Sequence, residues 1–225
     1  MTRHPLSRIL AGAALAASTL HAAATDAASA PAGLAALAVD LIPADTPPPA
    51  VALTDTAVDF DALRIAYGRR IDYHQRCEQS IPAKAWNEAW QAKDAAKAYD
   101  IASTWLATCP VVESAQMWAF VSARSLGDAA KADMHLRWLR GLIGSVMKTG
   151  DGKTPQTAWK TISVGEEYAV INALQMHTEQ QALVMKPVPL DMMTVRPTAG
   201  GDQVVLYFNP ELHFVRLAHE MQATK

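Results

Sequence analysis

The chain has 225 residues, half of them hydrophobic, with 20 basic and 22 acidic side chains and a formal net charge of −2. That is enough apolar sequence for one or two packed domains. The balanced charge, without a long basic block, excludes the electrostatic footprint of a nucleic-acid-binding protein.

Residues 1–24 have the pattern of a secretory signal peptide. Arg3 and Arg8 form a basic start, residues 9–20 are a short apolar core, and small residues follow at 22–24. The apolar core is too short to cross a bilayer comfortably, and no later apolar run reaches that length. We therefore expect a soluble protein without a membrane span that is exported to the periplasm or secreted.

Residues 25–57 are rich in Ala and Pro, and three consecutive prolines stand at 47–49. The segment shows no sustained hydrophobic period and holds too little apolar surface to offset its ordering entropy. The sequence predicts a flexible linker here.

Helical apolar spacing begins near residue 60 and predicts a helical domain over residues 58–148. The expected helices cover residues 58–77, 81–92, 94–108, 112–126 and 128–147. The pentapeptide Asp94–Ala98 recurs as Asp128–Ala132, at an offset of 34 residues. This offset is similar to that of tetratricopeptide repeats, which are stacked helix-turn-helix units. The alternative is a generic stack of helical hairpins.

The chain contains two cysteines, Cys77 and Cys109. In an oxidising compartment an isolated pair favours a disulfide over a zinc site, because zinc would need two further ligands. In an antiparallel helical stack, the first and third predicted helices end on the same side, which also favours the pairing. Two free buried thiols are the alternative.

Residues 149–225 change to a mixed pattern and predict a small antiparallel α+β module. The strands are expected at 159–162, 181–185, 190–195 and 203–208, with helices at 165–176 and 213–222. Ser163 and Glu166 have the spacing of a capping box at a helix start, and Gly200-Gly201 predicts a hairpin turn. The fold class is therefore α+β, with N-terminal antiparallel helical hairpins followed by this module.

The loop Gly150–Thr154 contains Gly-Lys-Thr, but a phosphate-binding loop needs a further Gly four residues earlier, where Met147 stands. Pro155 follows at once, so we interpret the loop as a turn.

From His135 onward, the chain resembles a family of exported bacterial proteins known as domain of unknown function 4919. The resemblance rests on His135, Gly141-Leu142, Ser145, Gly150–Thr154, Ala158, Ile162, Glu166-Glu167-Tyr168, Leu174 and Leu206–Asn209. It implies no reaction, ligand or partner.

The candidate catalytic residues are His135, Asp151 and Glu167, which could converge where the helical domain meets the α+β module. A histidine with carboxylates can run acid–base chemistry or bind a divalent metal. Each residue also has a structural alternative, in a turn, a helix cap or a buried hydrogen bond. No cofactor and no metal site are predicted.

Five tryptophans lie in the helical domain, and most of them are expected to fill its core. Trp90 and Trp118 do not fall on the predicted inner positions, so we expect them to be partly exposed and to be candidate binding residues.

The sequence favours a non-enzymatic protein–protein interaction module, whose partner is an unknown envelope or secreted protein. The alternative is a hydrolase or metal-dependent enzyme with its site at the junction of the two parts.

Overall fold

The computed structural model describes residues 39–79, 81–185 and 188–223. The predicted signal peptide and residues 25–38 of the predicted linker lie outside the described residues. Within the described part, no helix is long and apolar enough to cross a membrane.

The described residues form helices followed by a sheet, which confirms the α+β class. The helices are α1 (Phe60–Gly68), α2 (Ala83–Gln91), α3 (Ala95–Thr108), α4 (Glu113–Ser125), α5 (Ala129–Met147), α6 (Val164–Ala173) and α7 (Glu211–Ala223). The strands are β1 (Trp159–Lys160), β2 (Met176–Val184), β3 (Leu190–Pro197) and β4 (Val204–Asn209). A π-helix covers His74–Glu78, and a short 3₁₀ helix covers Pro155–Thr157.

Two hairpins, α2–α3 and α4–α5, begin their second helix in the same way. The Asp94 carboxylate accepts a hydrogen bond from the Lys97 amide at 3.0 Å, and the Asp128 carboxylate accepts one from the Lys131 amide at 3.0 Å. Each aspartate is an N-cap, which satisfies an amide that the first helical turn leaves unpaired. The recurring pentapeptide therefore marks equivalent helix starts.

The first predicted helix is divided, because α1 ends at Gly68 and the π-helix begins only at His74. The backbone between them pairs with residue 42 instead of continuing the helix. The Ile42 amide donates to the Arg69 carbonyl at 2.8 Å, and the Ile71 amide donates to the Ile42 carbonyl at 3.0 Å. The predicted disulfide between Cys77 and Cys109 is confirmed, and it joins the π-helix to the end of α3.

Residues 39–57 of the predicted linker lie against the helices. Val51 and Leu53 pack on the helical core. The Leu53 carbonyl accepts hydrogen bonds from the Trp138 indole at 2.8 Å and from the Arg137 guanidinium at 2.9 Å. This part of the segment is thus held by the helical domain through apolar contacts and a buried indole donor.

The sheet has the strand order β1-β4-β3-β2. β2 pairs with β3 and β3 with β4 in antiparallel fashion, whereas β1 pairs with β4 in parallel. The sheet is therefore mixed. The positive φ angles of Gly200 (89°) and Gly201 (134°) form the turn between β3 and β4, at the position that the sequence predicts. Helices α5 and α6 cover one face with a core of Val146, Trp159, Val170, Ile171, Met193, Val195, Leu206 and Phe208.

Candidate functional site

Asp151 stabilises a turn on the surface. Its carboxylate accepts hydrogen bonds from the Thr157 hydroxyl at 2.5 Å and from the Lys153 amide at 3.0 Å, and these bonds hold its pKa below the usual value. Gly152 has a φ of 66°, and an added Cβ would lie 2.2 Å from the Trp159 ring. The structure thus explains why glycine stands in this loop without requiring a phosphate.

His135 is fully buried and connects three helices. Its Nδ1 lies 2.8 Å from Gln116 Oε1 on α4, and its Nε2 lies 3.2 Å from the Tyr99 hydroxyl on α3. The Gln116 amide nitrogen donates to the Pro110 carbonyl, so the Gln116 oxygen faces the ring and Nδ1 carries the proton. Burial, and then the nearby charge of Lys131, lower the pKa of His135 to about 4. The ring is therefore neutral at neutral pH, and both nitrogens are engaged.

Glu167 is a fully buried residue of α6. Its Oε1 accepts a hydrogen bond from the Thr161 hydroxyl at 3.2 Å, whereas its Oε2 is buried without a donor. Burial is the largest cause that raises the pKa of Glu167 to about 9, and the charge of Asp191 on β3 is the second. Glu167 therefore holds its proton at neutral pH.

Asp191 is a buried carboxyl group at the start of β3. Burial raises the pKa of Asp191, and the nearby polar side chains of Gln181 and Glu167 oppose the rise. Gln181 lies on β2 and accepts a hydrogen bond from the Tyr168 hydroxyl at 3.1 Å. Tyr168 is 39% exposed. The sequence had no signal for Asp191, because a single carboxylate at a strand start is normally solvated.

The three candidate catalytic residues make contacts with different elements. His135 bonds to α3 and α4, Asp151 bonds within its own loop, and Glu167 accepts a hydrogen bond from Thr161. Among residues 39–79, 81–185 and 188–223, no group of three His, Cys, Asp or Glu side chains could hold a metal ion.

A buried ion pair joins α1 to α6. The Arg64 guanidinium donates to Glu166 Oε2 at 2.8 Å and to the Ser145 hydroxyl of α5 at 3.0 Å. The Ser163 hydroxyl accepts the Glu166 amide at 3.2 Å, as the capping-box pattern predicts. The Glu166 carboxylate, however, accepts the Ile162 amide rather than the Ser163 amide, because it is drawn toward the guanidinium.

Three further charged or polar groups surround this ion pair. Arg216 of α7 donates to the carbonyls of Gly68 and Ile162, and its guanidinium lies 4.4 Å from the centre of the Tyr73 ring. Glu113 is buried with one oxygen unpaired, and burial, followed by the charge of Glu166, raises its pKa well above the usual value. This cluster is the observed meeting point of the helices and the α+β part.

The burial of Arg64 and Arg216 was not predicted from the sequence. A signal was present for Arg64. It lies four residues after Phe60 and one after Leu63, on the apolar face of α1 that also carries Tyr67. An arginine on such a face predicts a buried partner, because an unpaired charge in a core is strongly destabilising.

Three tryptophans from α2 and α4 form a stack. The ring centres of Trp86 and Trp90 lie 5.4 Å apart, and those of Trp86 and Trp118 lie 5.2 Å apart, with interplanar angles of 11° and 14°. Trp90, at one end, is half-buried, in agreement with its expected partial exposure. The expectation that Trp118 is partly exposed is wrong. Its side chain is 8% exposed because the Trp86 ring covers it.

No curated protein and no protein of known structure matches this chain. Residues 56–213 match the family described as domain of unknown function (DUF4919). The match covers α1 to α6, the four strands and the start of α7. It includes the buried carboxyl groups of Glu167 and Asp191 and the Arg64–Glu166 ion pair. The chain belongs to this family.

Proposed function

We propose that this protein is an exported, non-enzymatic module that binds another protein through its helical part. The partner class is an envelope or secreted protein. The observation that carries the proposal is the tryptophan stack, whose outermost ring, Trp90, is half-buried while the two rings behind it are buried. Trp90 stacks on Trp86, which in turn stacks on Trp118, and rigid aromatic side chains are favoured anchors in protein interfaces.

The helical part supports a tetratricopeptide-like assignment. Two hairpins with equivalent N-caps follow one another at an interval of 34 residues, and the small residues Ala98 and Ala132 are buried at the helix contacts. In helical repeats, neighbouring hairpins create a continuous surface for extended or helical peptide segments. Trp90 lies on α2, the first helix of its hairpin, and Trp118 lies on α4, the corresponding helix of the next hairpin.

Export is proposed from the signal-like pattern of residues 1–24. The Cys77–Cys109 disulfide is consistent with an oxidising compartment, where such bonds persist.

The test is an affinity capture with the immobilised full-length chain, using an envelope extract from the source organism. Three variants are compared: wild type, Trp90→Ala and Tyr168→Ala. Tyr168 is also partly exposed, but it lies on α6, so it controls for general loss of surface aromatic area. We expect one dominant protein that wild type and Tyr168→Ala retain and Trp90→Ala loses. Failure of the folded wild-type chain to retain any protein would overturn the proposal.

An acid–base enzyme at the junction is the second candidate. The observation that favours it is the Glu167–Asp191 pair, in which one carboxyl keeps its proton at neutral pH. Both side chains are buried, at 0% and 6% exposure, so a substrate could reach them only after the structure opens. The test is a screen of ester, amide and glycoside hydrolysis. An activity that Glu167→Gln abolishes would support the enzyme and contradict the interaction module.

A further inference from the structure

Strand β2 lies at one edge of the sheet. Among the described residues it pairs only with β3, because it stands last in the strand order β1-β4-β3-β2. Its last five residues, 180–184, are all exposed, and Leu183 and Val184 are 47% and 40% exposed. Successive side chains point to opposite faces of a strand, so each face of the sheet has one exposed apolar side chain at this edge.

The two halves of β2 differ in how they are protected from pairing with another strand. The ladder to β3 is irregular between Thr178 and Gln180, where the register shifts. At this irregularity, the Glu179 carboxylate accepts a hydrogen bond from the Arg196 guanidinium at 2.6 Å. Bulges and charged side chains keep edge strands from pairing with other chains. Residues 180–184 have neither, since they pair with β3 in regular register and contain no charged residue and no proline.

The opposite edge of the sheet is closed by side chains. β1 is only two residues long, and the Lys160 amide donates to the Thr149 hydroxyl at 2.8 Å. The Lys160 carbonyl accepts a hydrogen bond from the Arg64 guanidinium at 3.3 Å. In the part of the chain that the structure describes, the sheet therefore offers one edge to a further strand. A single edge that pairs with itself about a two-fold axis gives a closed dimer rather than an open filament.

A second copy of the same strand fits this edge. When residues 180–184 of two copies pair antiparallel over their full length, the two-fold axis passes through the middle of the segment, and Ala182 faces the same residue of the other copy. Each glutamine then lies opposite an apolar side chain, so no like charges meet. A register shifted toward the N-terminus would instead bring Glu179 and the irregular part of the ladder into the interface.

We propose that β2 is a homodimerisation edge, at which residues 180–184 of two copies of this chain pair antiparallel about Ala182. The two four-stranded sheets then form one continuous sheet. This pairing covers Leu183 and Val184 and satisfies backbone groups of both strands. It uses the α+β part, whereas the proposed function uses the tryptophan stack of the helical part, so either proposal can fail without the other.

The test is sedimentation velocity of the full-length chain from about 1 to about 500 µM, because interfaces at the small end of the size range are weak. We expect a monomer–dimer equilibrium. Ala182→Lys and Ala182→Glu place like charges opposite each other, so each should raise the dimer dissociation constant about threefold or more. An equimolar mixture of the two should restore association. Ala96→Lys is the matched control, since Ala96 is an exposed alanine of α3, and it should dimerise as wild type does.

Three outcomes of this experiment would overturn the proposal. The first is a wild-type chain that stays monomeric at the highest concentration. The second is a dimer with the same dissociation constant in wild type and Ala182→Lys. The third is a mixture of the two charged variants that associates no better than each variant alone, which would contradict the pairing about Ala182.

A second measurement needs no charged side chain in the strand. In the proposed register, residue 182 faces itself, with the two Cα atoms about 4.5–5.5 Å apart and within reach of a disulfide. Gln180 faces Val184, so the two copies of residue 180 lie about 13 Å apart, beyond that reach. Under mild oxidation, we expect Ala182→Cys to form a covalent dimer at least about tenfold faster than Gln180→Cys. Equal rates would overturn the proposal.

Discussion

Lys93 and Gly127 lie 34 residues apart and have the same backbone conformation, with φ angles of 59° and 74°. Each follows the end of the first helix of its hairpin. The next amide in each turn returns to the helix that has just ended, from Asp94 to the Ala89 carbonyl at 2.9 Å and from Asp128 to the Ala123 carbonyl at 3.0 Å. The two hairpins thus use the same turn, although only the second has glycine at the left-handed position.

The equivalence of the two turns predicts opposite effects for reciprocal substitutions. Lys93→Gly should raise the free energy of unfolding by about 0.5–1 kcal/mol, because glycine adopts a positive φ without steric cost. Gly127→Lys should lower it by about 1 kcal/mol. An added Cβ at Gly127 meets nothing within 4 Å, so that loss reflects the backbone alone. Chemical denaturation measures the change in unfolding free energy for each variant. Changes of the same sign in the two variants would contradict the shared turn geometry.

The Arg64–Glu166 ion pair predicts strong coupling between two buried charges. Arg64→Met or Glu166→Leu alone leaves the other charge buried without its partner and should cost about 3–5 kcal/mol of stability. The double variant should lose less than the sum of the two single losses, because no uncompensated charge remains. A double-mutant cycle by urea unfolding tests this. Additive losses would show that the two residues act independently.

The Cys77–Cys109 disulfide closes a loop with a sequence separation of 32 residues. In the chain-entropy model, a loop of this length stabilises the fold by roughly 3–4 kcal/mol. Cys77→Ala combined with Cys109→Ala should therefore unfold at lower urea concentration, and reduction of the wild-type chain should give a similar loss. If the double variant is as stable as the oxidised protein, the bond contributes nothing to the fold.

His135 predicts a loss of stability in acid. Its folded pKa is lowered to about 4 by burial and by Lys131, whereas the unfolded value is about 6.5. The unfolded state then binds the proton more readily, so stability that is present above pH 6.5 is lost as pH falls toward 4. The loss should reach about 2–3 kcal/mol relative to His135→Gln, measured as unfolding free energy between these limits. Equal pH profiles for the two proteins would show that His135 titrates normally.

Helices α2 to α5 could be predicted closely from the sequence, because apolar spacing and the aspartate caps are local signals. The break after α1 could not, since its cause is backbone pairing between residues 69–71 and Ile42, far away in the chain. The burial of Trp118 was missed for the same reason, because its cover is the Trp86 ring on another helix. Glu167 was identified as a candidate, but its complete burial could not be predicted, because it depends on how α6 packs in the fold.

The most direct test of the interaction module is the dissociation constant of the captured partner, measured by calorimetry with wild type, Trp90→Ala and Tyr168→Ala. We expect Trp90→Ala to bind at least about tenfold more weakly, since truncation of an aromatic anchor typically costs more than 1 kcal/mol, with Tyr168→Ala close to wild type. Parallel urea unfolding must show that Trp90→Ala remains folded at the temperature of the binding measurement. Equal affinity of folded Trp90→Ala and wild type would contradict the account.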